Sequence, residues 1–71
     1  MKAILEFDLP EEDYEFKQAV NAEWLHSGVM EFSQWLRTQY KYEGVETMEL
    51  FDVRSKLFDI LTEHGVDTDA F

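Results

Sequence analysis

One stretch of this chain alternates and the rest does not. In the run from Lys2 to Leu9, Leu5, Phe7 and Leu9 alternate with Glu6 and Asp8, the period-two rhythm of a strand with one apolar face. Beyond Pro10 the apolar residues recur every three or four positions, as on helices. A lone strand leaves a row of backbone N–H and C=O groups without partners, and packed helices cannot complete its ladder. The sequence therefore predicts a mainly α fold with a short N-terminal β-strand, residues 1–9, and three helices. It also predicts that the strand, carrying Ile4, Leu5, Glu6, Phe7 and Asp8, pairs antiparallel with the same segment of a second copy. The chain's first expected partner is thus itself, as a homodimer or higher oligomer. The competing expectation is an extended arm running over the helices.

The three helices have readable ends. Pro10 suits a first helical position, and Glu11, Glu12 and Asp13 place negative charge at the positive end of the helix dipole, so a first helix is expected over 10–21. Phe16, Ala19 and Val20 share its face, and Asn21 marks its end or a kink. A second helix over 23–42 follows from Leu25, Val29, Phe32, Leu36 and Tyr40, with Trp24 and Trp35 widening the stripe and Met30 lying off it. Gly44 interrupts the pattern. The third helix, over 46–64, carries Leu50, Val53, Leu57, Ile60 and Leu61 on one face, with Phe51 and Phe58 beside them, and folds back antiparallel on the second. Gly65 fits a left-handed C′ position, with Val66 placed to touch Leu61. Residues 66–71 are expected as a loose tail.

A chain of 71 residues has room for a single small domain, 1–71. A domain so short removes only about 60% of its unfolded surface from water, which favours a partner chain where no staple exists. There is no cysteine, so disulfides and thiolate metal sites are excluded. With 45% hydrophobic and 15% aromatic residues the chain is too apolar to stay disordered.

Sixteen acids against six bases give a formal charge of −10. Nonspecific binding to nucleic acid needs a basic surface that releases counterions, so that function is disfavoured and a basic partner favoured. No apolar run approaches the ~20 residues of a membrane span, and the N-terminus lacks the basic start and apolar core of a signal peptide. A soluble, unprocessed protein with no membrane association is expected.

Candidate chemistry is sparse. His26 and His64 fall on different helices without a metal-ligand pair on either face, so no metal or cofactor is expected. Ser27, Ser33 and Ser55 lack the glycines of a nucleophile elbow, and three glycines build no phosphate loop. Carboxylate pairs at i, i+4 arise from composition alone. No catalytic residue is assigned, and the body is small for a catalytic pocket, so an enzyme is not expected. The informative cluster is WLRTQYKY, where Trp35, Arg37, Tyr40, Lys41 and Tyr42 gather aromatic and cationic groups at a helix end. Cations there suit the helix dipole; Arg and Tyr also dominate binding hot spots, and aromatic faces beside cations can stack a nucleotide.

The runs LEFDLPEEDYEF, AVNA, FSQWLRTQYKY, VRSKLFDIL and EHGV together resemble a group of small accessory proteins of uncharacterised function encoded by tailed bacteriophages, over Leu5 to Val66. This chain departs from that pattern at Asp13 and Tyr14, where Glu or Gln is usual, and at Ala22, where Gly is usual. The resemblance implies a viral product acting in the cytoplasm of the host bacterium and carries no catalytic residues over. The expected function is a non-enzymatic, acidic, homo-oligomeric protein that binds a host bacterial protein, acting as an inhibitor that occludes a basic, nucleic-acid-binding surface. Sequestration of a small ligand or nucleotide signal at the aromatic–cationic cluster is the first alternative, and a structural or assembly role the second.

Overall fold

The computed structural model describes residues 1–69 and contains two helices and no strand among them: α1, Asp13–Lys41, and α2, Leu50–Glu63. The mainly α character stands, but the N-terminal strand and the three-helix count are corrected.

The first two expected helices are one. Asn21 sits inside α1 without interrupting it. An asparagine in a helix interior costs under about 1 kcal/mol against alanine, and neither Gly nor Pro lies nearby to add to that. Phe16, Val20 and Trp24 continue at steps of four, so the apolar phase runs unbroken through residues 21–23. At about 1.5 Å per residue, α1 spans roughly 44 Å. It accounts for most of the longest dimension of a 49 × 31 × 15 Å molecule.

Residues 1–8 form no regular structure, and Ile4 and Leu5 are exposed. Inter-subunit strand pairing through Ile4, Leu5, Glu6, Phe7 and Asp8 therefore has no strand to rest on. Only Phe7 turns inward, its ring meeting Phe16 edge-on at 5.7 Å between centroids. The alternation thus reflects one anchored aromatic in an extended arm. Its end is fixed by a turn over residues 9–12, in which the Glu12 N–H donates to Asp8 O at 2.8 Å and the Asp13 N–H to Pro10 O at 3.1 Å. That turn delays α1 to Asp13.

α1 ends where glycine permits. Gly44 adopts φ +69°, and the Glu43 and Val45 amides reach back to Thr38 O and Gln39 O. The chain then has no regular structure up to Glu49, whose backbone is extended, and Val45 and Met48 are half-buried, so α2 starts at Leu50 rather than at residue 46. α2 closes in a Schellman arrangement. Gly65 has φ +84°, the Val66 N–H donates to Leu61 O at 2.9 Å, and the Gly65 N–H donates to Thr62 O at 3.0 Å. Val66 is buried, so the segment expected as a loose tail begins with a core residue; Ala70 and Phe71 lie outside the described residues.

Among the described residues the buried hydrophobic ones are Ile60, Leu61 and Val66, with Leu61 buried completely. Their counterpart on α1 is Gly28, whose missing side chain lets the helices approach.

Candidate functional site

Two sides of the helical hairpin differ in chemistry. On one side a cleft of about 310 Å³ is bounded by Glu31, Gln34, Trp35 and Thr38 of α1 and by Lys56, Ile60 and Glu63 of α2. Here Lys56 Nζ stands 5.5 Å from the centre of the Trp35 ring, a cation–π distance. At the same side His64 Nε2 lies 3.5 Å from Glu31 Oε2, an ion pair when the imidazole carries a proton. These contacts tie the two helices together with polar groups.

The other side is apolar. A cleft of about 280 Å³ near the loop is lined by Leu36, Gln39 and Tyr40 of α1, Val45, Glu46, Thr47 and Met48 of the loop, and Val53 of α2, with Glu46 its one ionised group. Along α1 the same row runs back through Phe32, Val29 and Leu25 at steps of three and four. Along α2, helical spacing sets Leu50, Arg54, Leu57, Phe58 and Leu61 beside it. The only formal charge among these α2 residues is Arg54, whose guanidinium lies over the Phe58 ring at 4.2 Å.

The WLRTQYKY residues do not converge on one point. Trp35 is half-buried, stacked on Phe32 at 6.0 Å and faced by Lys56. Tyr40 lines the apolar cleft on the other side of the helix seam. Arg37 is exposed, and Lys41 lies 5.5 Å from the Tyr42 ring in a local pair at the end of α1. The two histidines are also apart, His26 exposed on α1 and His64 half-buried at the α2 cap. Among the described residues no three His, Asp or Glu side chains gather where a metal ion could be held.

No family model, curated protein or solved structure matches this chain. Its own surface therefore carries the functional reading. Among the described residues no helix is long and apolar enough to cross a membrane. The acids gather at two places: Glu6, Asp8, Glu11, Glu12, Asp13 and Glu15 crowd the arm and the start of α1, and Glu43, Glu46, Glu49 and Asp52 crowd the loop, where Glu46 borders the apolar cleft. Against these six acids the arm and the start of α1 hold two lysines, Lys2 and Lys17, the latter paired with Asp13 at 3.1 Å. Sequence reasoning found the residues of the apolar row but assigned them wholly to the interior. The feature it missed was that a single neighbouring helix covers only part of that row.

Proposed function

We propose that this chain is a non-enzymatic, acidic accessory protein of a tailed bacteriophage that works in the cytoplasm of the infected bacterium by binding a basic surface of a host protein. The observation that carries this reading is the segregation of charge: the arm and the start of α1 form a strongly negative end, while the long row on the hairpin carries none of those acids. A concentrated negative end accelerates encounter with a basic partner and makes it salt-sensitive. A host surface that binds nucleic acid has the complementary sign, and covering it would inhibit that host protein.

The test is affinity capture from infected cells with the intact protein and with a Glu6→Gln, Glu11→Gln, Glu15→Gln variant. The expected result is one basic host protein at stoichiometric yield in low salt, lost in high salt and lost with the neutralised variant. Recovery of no host protein at low salt, or equal recovery by both proteins, overturns the reading. Sequestration of a nucleotide by Trp35, Arg37, Tyr40, Lys41 and Tyr42 gains no support from their placement, since Trp35 and Tyr40 lie on opposite sides of the seam.

A further inference from the structure

The subunit exposes more surface than a folded chain of its size. Its accessible area is 6151 Å² for a mass of 8.5 kDa. A compact monomer of that mass exposes only about 4,700 Å². Its radius of gyration is 16.0 Å, against about 11 Å for a compact chain of this length. The excess, roughly 1,500 Å², is about what each subunit contributes to an obligate homodimer, whose interfaces bury some 2,000 to 5,000 Å² in total.

The arm accounts for part of the excess, with Met1, Ile4 and Leu5 exposed, and one side of the hairpin for another part. Val29 is 50% exposed, Tyr40 67%, and Leu50 86%, and all three belong to the apolar side of the hairpin. Burying that side brings little negative charge together. Its α1 row, from Gln18 through Ala22, Leu25, Val29, Phe32 and Leu36 to Tyr40, contains no ionisable acid or base other than the tyrosine hydroxyl. Glu31 and Glu63 face the polar cleft instead. A chain of charge −10 self-associates at least cost through a face poor in acids, and on this one the acids, Glu46 and Glu49, are confined to the loop end. A basic host surface would find acids only at its loop end. The N-terminal arm is anchored elsewhere, with Phe7 on Phe16, which belongs to the row of Val20 and Trp24.

We propose that two copies of this chain pack through this apolar face, the Leu25–Val29–Leu36–Tyr40 row and Leu50 of each covering the same surface of the other about a two-fold axis, to form a four-helix bundle. This deepens the oligomer expected from the chain's small size by naming the face, and it stands whether or not a host protein binds the acidic end. Face-to-face packing of two helical hairpins completes a bundle core that one hairpin lacks. An isologous contact closes after two subunits, which limits the assembly to a dimer.

Sedimentation of the purified intact protein at tens of micromolar should return twice the subunit mass, unchanged by removal of residues 1–6. A Val29→Glu, Leu36→Glu variant should return the monomer mass or lose its helical signal at temperatures where the parent is folded. Because that variant can fail to fold, thiol labelling provides the second measurement, made clean by the absence of native cysteine. The thiol of a Leu36→Cys protein should react at least tenfold more slowly than that of a Gln34→Cys protein, with both proteins retaining the dimer mass. A well-folded monomer for the intact protein overturns the proposal. So does a dimer in which both thiols react equally fast, which places the contact elsewhere, and so does protection at position 36 that appears only when host extract is added.

Discussion

Gly28 and Leu61 meet where the two helices come closest: a Cβ built on Gly28 would stand 2.7 Å from Leu61 Cδ2 and 3.8 Å from its Cα. Leu61 is 1% exposed, so a shift of its side chain has to be taken up inside the core. Glycine inside a helix costs about 1 kcal/mol relative to alanine, and here it stands against the buried Leu61.

Gly28→Val should therefore destabilise the protein by about 2 kcal/mol, the scale of overpacking in a filled core. Urea unfolding followed by circular dichroism measures it. An unchanged midpoint would show that the helices do not approach at Gly28.

Leu61→Ala should cost about 3 kcal/mol, through lost burial and the cavity left behind. Leu5→Ala should stay within about 0.5 kcal/mol, because Leu5 stands on the exposed arm. Thermal unfolding of the two variants side by side separates core from arm. A Leu5 effect as large as that of Leu61 would mean that the arm is packed.

The glycine turns differ in what surrounds them. A Cβ added to Gly65, at φ +84°, would meet only the Trp24 ring, at 3.9 Å, and one added to Gly44, at φ +69°, would meet nothing within 4 Å. Gly65→Ala and Gly44→Ala should each lose about 1 kcal/mol from backbone strain alone, with asparagine at either position recovering part of it. Differential scanning calorimetry reads the shift in Tm. Tolerance of alanine at both sites would argue against left-handed turns there.

Excess negative charge opposes folding through self-repulsion, so moderate salt should raise the unfolding temperature. The Lys17–Asp13 pair at 3.1 Å is exposed on both sides, and Lys17→Gln should change stability by no more than about 0.5 kcal/mol. The readout is Tm in about 10 mM against about 300 mM sodium chloride, inside the range over which the Debye length shortens strongly. A fall in Tm with salt would require attractive ion pairs to dominate.

The helical stripe of Leu25, Val29, Phe32, Leu36 and Tyr40 was legible because its spacing is a local property. Its burial was not. Which part of a broad apolar row is covered depends on the azimuth at which α2 docks, and that is set by Gly28 and Leu61 on elements distant in sequence. The aromatic–cationic cluster shows the same limit. WLRTQYKY is contiguous in sequence, yet a helix distributes neighbouring residues around its axis, sending Trp35 toward Lys56 and Tyr40 toward Val53.

By itself the sequence determined the helical character of the chain, its acidity, and the glycine-bearing ends at Gly44 and Gly65, because periodicity, charge and φ preference act within a few residues. Tertiary structure alone decided that the first eight residues form an arm anchored by Phe7 and that part of the apolar row stays uncovered. Those outcomes rest on which distant surfaces meet, and a pattern of residue types fixes the surfaces without fixing their meeting.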